Sequence, residues 1–191
     1  DFKSGLGILI DIGSVGNLAG DRWLASLAKK MIPHNFKPKS ERRPQPLHVS
    51  GVGSGGQVCR DNAHVPIAIN TSHGIRDGIF HTPAVPNSDL PALLGLKSLR
   101  DMGAVIDTRT NTMYMLPSTS SGQTDLSESL PNGTQRVPLE TAASGHLMMR
   151  CDLFNDFRDQ EHQGGVQMPS MHFQVAAEQA NREAAASIGK E

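Results

Sequence analysis

Hydrophobic positions along the chain fall in short bursts, separated by polar stretches rich in glycine and proline. The first burst is the densest: Gly7-Ile8-Leu9-Ile10-Asp11-Ile12-Gly13-Ser14 sets an apolar run against a carboxylate, with a glycine two positions on. Such a run predicts a strand buried on both faces, roughly Leu6 to Asp11. Gly13 permits a tight turn and a close backbone approach. A carboxylate at the end of a buried strand is costly unless it is paired or put to use, so Asp11 is the residue to explain. Its plainest reading is a turn aspartate capping the next loop.

The pattern then changes period. Trp23, Leu24, Leu27, Ala28 and Met31 share one helical face, which predicts a helix over 21–31. Asp21 suits its start, Lys29 and Lys30 its end, and Pro33 stops it. Residues 33–46, with four prolines and several charges, read as an inserted, exposed connector. Leu47–Val49 and Gln57–Cys59 flank the glycine-rich tip Gly51-Val52-Gly53-Ser54-Gly55-Gly56, a hairpin signal. A phosphate loop is disfavoured, since no Gly-Lys-Ser/Thr follows and no helix opens there. Val65–Asn70 and Gly78–Val85 predict two more strands. Ala92–Met102 reads as a short helix ended by Gly103, and Ala104–Asp107 with Thr112–Leu116 as a further hairpin. Residues 6–116 thus form a mainly-β unit of barrel or sandwich type. Residues 117–133 read as a linker, 134–154 offer an extra hairpin, and 155–191 read as a tail, helical or disordered, with helix-forming composition over 173–188.

Composition narrows the classes. The 191 residues carry a net charge of -1, without the Lys/Arg clustering that nucleic-acid binding requires. No apolar run reaches the length of a membrane span. Cys59 and Cys151 are too few and too far apart for a disulfide framework or a zinc site, and the eight histidines lack metal-ligand spacing. No metal or cofactor is expected. Cys59 reads as a small buried hydrophobe, and His48, His64, His73 and His81 as surface histidines of strands and loops.

Two stretches carry a family resemblance. Leu9-Ile10-Asp11-Ile12-Gly13-Ser14 resembles the hydrophobic-hydrophobic-Asp-Thr/Ser-Gly-Ala motif of aspartic proteases. Leu90-Pro91-Ala92-Leu93-Leu94-Gly95-Leu96-Lys97-Ser98-Leu99, followed by Gly103-Ala104-Val105-Ile106-Asp107, looks like the second half of the retropepsin-like domains of retroviruses and retrotransposons. The Gly51–Gly56 hairpin lies between them, where that family keeps its flap. The resemblance spans about residues 5–116.

It implies a closed, retropepsin-like acid-protease barrel that forms a homodimer, each subunit supplying one aspartate. Asp11 would be the catalytic residue, Ile12, Gly13 and Ser14 its turn, residues 51–56 the flap over a peptide or polyprotein substrate, and Leu93, Leu94 and Gly95 the structural motif. Two carboxylates about 3 Å apart cannot both ionise, and they share a proton that polarises the scissile carbonyl while a bound water is activated. The chain departs from the family at Ile12: the usual Thr or Ser hydroxyl bonds across the dimer, which isoleucine cannot do. The motif lies close to Asp1, so the family's preceding N-terminal strand looks truncated. Asp107, with Arg109 two positions on, reads as a strand-end turn residue rather than a second catalytic aspartate. A retropepsin fold kept as a catalytically inactive dimerisation or peptide-binding module, or an unrelated small β-domain, are the competing readings.

Overall fold

The computed structural model describes residues 5–50, 55–117, 130, 132–164 and 170–173, and the chain it describes is mainly β. The opening apolar run forms β1 (Gly7–Asp11). After a turn, a two-residue strand β2 (Ala19–Gly20) leads into helix α1 (Asp21–Met31). The apolar stripe does what its spacing predicts: Trp23, Leu27 and Met31 are buried. Asp21, however, does not cap the helix, whose N-cap is Gly20. Its carboxylate instead accepts from the backbone N–H groups of Asn87 (2.8 Å) and Ser88 (3.0 Å), stapling the loop before residue 92 onto the helix start.

A short 3-10 turn (Ile32–His34) follows, then three long strands, β3 (Lys39–Val49), β4 (Gln57–Thr71) and β5 (Gly74–Val85), paired antiparallel in sequence order. Residues 33–46, expected as a connector, are exposed for the most part, but from Lys39 onward they form the edge strand β3. The β3–β4 register shifts between Arg42 and Leu47, the stretch holding Pro44 and Pro46. Proline has no N–H for the ladder, so it is tolerated at an edge and at an irregularity.

Next come β6 (Ala92–Gly95), α2 (Leu96–Asp101), β7 (Ala104–Asp107) and β8 (Thr112–Met115). The expected helix over 92–102 is therefore only half helix. Ala92–Gly95 pairs in parallel with β1, from Ile8↔Ala92 to Asp11↔Gly95. That pairing overrides the helical preference of a leucine-rich stretch.

The later segment joins the same core. β9 (Gln135–Pro138) pairs with β8, and β10 (Glu140–Thr141) forms a hairpin with β11 (Leu147–Arg150). β11 in turn runs antiparallel along the free edge of β1. Helix α3 (Phe154–His162) buries Phe154 and Phe157, with Phe36 against both rings. β12 (Met171–Phe173) lies parallel to β5, with Phe173 buried. Phe173 thus ends a strand rather than opening a helix, and the rest of the helical stretch expected over 173–188 lies outside the described residues, as does most of the expected linker.

Among the described residues the strands make three sheets, ordered β10-β11-β1-β6, β12-β5-β4-β3 and β7-β8-β9. Ile8, Leu27, Met31, Ile67, Ile69, Phe80, Leu94, Met113, Met149 and Phe154 form one buried core cluster. Cys59 and Cys151 are both buried, and burial pushes both thiols up, away from the reactive thiolate.

A carboxylate fastens the start of β1. The Asp152 side chain is 1% exposed and takes hydrogen bonds from Leu6 N (3.0 Å), Lys30 Nζ (2.5 Å) and Arg150 Nε (3.0 Å). Burial alone would raise its pKa, but these three donors outweigh it and hold the carboxyl below the usual range. The stability it contributes is present above the unfolded carboxyl's pKa and is lost as the pH falls through its lower folded value. Asp152→Ala should cost about 2–3 kcal/mol, less than a fully buried pair because Lys30 and Arg150 reach solvent. Urea unfolding measures it, and in Asp152→Asn the acid-side loss of stability should be shallower than in the parent chain.

Candidate active site

The Asp11 turn is built from both ends of a loop that wraps one strand. β1 pairs with β6 on one side. Seven residues later Leu18 pairs with Leu93 from the other side, donating its N–H at 3.3 Å and accepting at 2.7 Å. The chain from Asp11 to Leu18 therefore arches over the end of β6, and Leu93-Leu94-Gly95 is the strand it clasps.

Close approach demands the glycine. A Cβ on Gly95 would stand 2.3 Å from the Gly16 carbonyl oxygen, inside any permitted contact. The arch also caps α2: Ser14 O accepts from Leu96 N (2.8 Å) and Val15 O from Lys97 N (3.1 Å), which satisfies two of the orphan N–H groups at that helix start.

Asn17 holds the arch down. It is 1% exposed, and its Oδ1 accepts from Gly95 N (3.0 Å) and Ser98 Oγ (2.9 Å). Its Nδ2 donates to the carbonyls of His81 (2.9 Å) and Phe173 (3.3 Å). One carboxamide thus joins the turn, β6, α2, β5 and β12. Sequence reasoning passed over Asn17 as part of a loop of small residues. The available signal was an amide set directly before the apolar Leu18-Ala19, where burial would require all its hydrogen bonds to be met.

At the top of the arch, Asp11 Oδ1 accepts from Gly13 N (2.9 Å) and Ser14 N (3.2 Å). Asp11 Oδ2 has no hydrogen-bond partner among the described residues. Ser14 Oγ turns inward and donates to Gly16 O (2.7 Å). The carboxylate is thereby oriented by one oxygen and presents the other. Asp107 provides the contrast within the same chain. Its Oδ1 accepts from Arg109 N (2.9 Å) and Thr110 N (3.3 Å), and its Oδ2 accepts from Thr110 Oγ1 (2.6 Å). The Thr110 hydroxyl first, and the backbone N–H groups with it, hold that exposed carboxyl below its usual range. Both oxygens of Asp107 are spent on its own turn, as expected of a strand-end residue.

Ile12 and Val15 flank Asp11 and are 67% and 79% exposed, whereas among the described residues Ile32 and Leu130 are the other large apolar side chains left exposed. Gly13 is the close-packed member of the turn, with a hypothetical Cβ 3.2 Å from Asp11 Oδ1. Of the expected flap, Gly51, Val52, Gly53 and Ser54 lie outside the described residues. Gly55 and Gly56 lead into β4, Gly55 in the left-handed region at φ 96°. The β3–β4 ladder is paired up to Val49↔Gln57, so the two strands that would carry a flap are in place as a hairpin stem.

No family model matches the chain, and no curated protein matches it. Among solved structures the chain is similar to the retroviral protease-like domain of Ddi1 from Leishmania major, at 13% identity and a TM-score of 0.38, over 71% of this chain and 93% of that one.

Removing the Asn17 amide leaves the Gly95 N–H and the His81 carbonyl without their partner. Asn17→Ala should lower stability by about 2–3 kcal/mol, read as a shift of the urea midpoint. A loss under about 0.5 kcal/mol, the size of an ordinary surface substitution, would contradict the role given to Asn17.

Proposed function

We propose that the chain is an aspartic endopeptidase of retropepsin type, a closed β-barrel unit that works as a homodimer on peptide or polyprotein substrates. The observation that carries the reading is the Asp11 turn: a carboxylate fixed through Oδ1, open at Oδ2, and mounted on an arch that clasps Leu93-Leu94-Gly95. The exposed Ile12 and Val15 beside it support a twofold contact through this same face, since two apolar side chains at a turn tip gain by being covered.

In such a dimer the two Asp11 side chains share one proton. The ionised carboxylate takes a proton from a water held between them. The resulting hydroxyl adds to the scissile carbonyl carbon while the protonated carboxyl gives its proton to the carbonyl oxygen. The carboxyl that took the water proton then gives it to the leaving nitrogen, the C–N bond breaks as one adduct hydroxyl returns its proton to the other carboxylate, and the two peptide ends depart with the dyad again sharing one proton. The glycine-rich tip over 51–56 would fold over an extended substrate and pair with its backbone.

A specific observation favours a second reading. Ile12 stands where the family's hydroxyl would bond across the dimer, and it offers only an exposed apolar side chain there. A catalytically inactive retropepsin-fold module for dimerisation or peptide binding follows if that loss leaves the carboxylates misplaced.

The test incubates the chain, Asp11→Asn and Ile12→Thr with a mixed peptide library between about pH 4 and about pH 7, where a shared carboxyl proton operates. Cleavage should occur with the parent chain and vanish in Asp11→Asn. Ile12→Thr should cleave faster, by about tenfold to 100-fold if the hydroxyl corrects a misplacement of about 1 Å. A dimer that cleaves nothing until residue 12 is threonine would be the inactive module. Cleavage that persists in Asp11→Asn would overturn both readings of Asp11.

A further inference from the structure

Four titratable side chains stand in one row across the second sheet. Glu41 of β3, His64 of β4, His81 of β5 and His172 of β12 come from its four successive strands. His64 Nε2 lies 3.0 Å from Glu41 Oε1, at an angle short of a hydrogen bond. His64 Nδ1 meets His81 Nδ1 at 2.5 Å, and His81 Nε2 meets His172 Nδ1 at 3.4 Å. His64 and His81 are half-buried and face each other, whereas the sequence alone suggested separate surface histidines.

Proton counting sets what this row can hold. A neutral histidine carries one N–H and one lone pair. Three neutral rings supply three hydrogens, one for each contact: Glu41 to His64, His64 to His81, and His81 to His172. One further proton is accommodated on the outer Nε2 of His172, or on His64 beside Glu41 if the hydrogens shift along the row. A second further proton has no place, because it puts two N–H groups face to face in one contact. The contact that gives is the longest one, at the exposed ring of His172, a side-chain contact that supports the backbone pairing of β12 with β5 and the Ser170–Asp77 bond.

We propose that this row is a pH-sensitive latch that holds the Ser170–Phe173 segment on the edge of β5, closed when the histidines are neutral and released as they take up protons. Of the charged groups at the row, Glu41 opposes release by favouring a protonated neighbour, but burial and the two flanking histidines outweigh it at His81. Lys39 is the register partner of His64 on β3 and adds positive charge at that end, which Glu41 offsets. Asp77 on β5 takes the Ser170 hydroxyl at the start of β12 and does not contact a histidine. Burial, and then the positive charge of His64 and His172, push His81 down to about 4. His81 therefore resists protonation while it is buried against its two neighbours and is freer to take up a proton once β12 leaves it, so the latch weakens as pH falls below the ordinary histidine range, about 6.5.

Release would reach the Asp11 turn. The Phe173 carbonyl accepts from Asn17 Nδ2, so losing β12 removes one of the bonds that hold the arch, and uncovers the buried face of Phe173.

Hydrogen exchange of the Met171, His172 and Phe173 amides, expressed as protection over the intrinsic rate, tests this without reference to proteolysis. Protection should fall by about tenfold or more between about pH 7.5 and about pH 5, one ionisation's worth. In His172→Gln, whose amide cannot be charged and whose site is exposed, the fall should shrink to within about twofold, since no second proton is forced into the row. His64→Gln, at the other end, should flatten it likewise. Protection unchanged with pH in the parent chain would overturn the proposal. So would an undiminished fall in both variants, or a fall shared with the Ile67 and Ile69 amides of the core, which would be global unfolding.

Discussion

The Asn17 carboxamide is the constraint on which the site depends. It is buried, it makes hydrogen bonds with all four of its partners, and those partners come from β5, β6, α2 and β12. A buried amide is tolerated only when its polar atoms are met, and when they are met it fixes geometry in several directions at once. With the arch pinned from below, Gly95 must lack a side chain, α2 begins against the carbonyls of Ser14 and Val15, and Asp11 is left at the crest with its apolar neighbours Ile12 and Val15 in solvent. The half-buried carboxylate, presented at the crest, is therefore a consequence of packing beneath it, several residues away in sequence.

The same logic governs the edge of β1. An apolar strand needs partners on both sides, and here they come from different parts of the chain: β6 in parallel, and β11 in antiparallel register. Asp152, two residues after β11, then closes the junction by binding Leu6 N and Lys30 of α1. The described residues from 134 to 164 are thus bound into the core through strand pairing, through Phe154 and Phe157, and through one ion cluster.

Much of this was legible where a local pattern decides the structure. The stripe from Trp23 to Met31 encodes α1, and the alternation around 65–85 and 104–116 encodes hairpins that form. The Asp11-Ile12-Gly13 turn and the separate fate of Asp107 could be read from the glycine present after one and the arginine after the other. What was hidden depends on contacts distant in sequence. Ala92–Gly95 has leucine-rich, helix-like composition and becomes a strand because β1 captures it. Residues 39–46 have the prolines and charges of a connector and become part of the edge strand β3 because an edge forgives both. His172 lies 91 residues from His81 and Asp152 lies 146 from Leu6, so no spacing rule could bring them together.

In the proposed enzyme two copies of the Asp11 turn make one catalytic centre. Its most direct test is the dependence of specific cleavage activity on chain concentration, with the molecular mass followed by sedimentation over the same dilutions. The account predicts that activity per chain falls on dilution in step with the loss of a dimer of twice 20.5 kDa. Activity per chain that stays constant down to a monomer, or a stable dimer that cleaves nothing even with threonine at position 12, would contradict it.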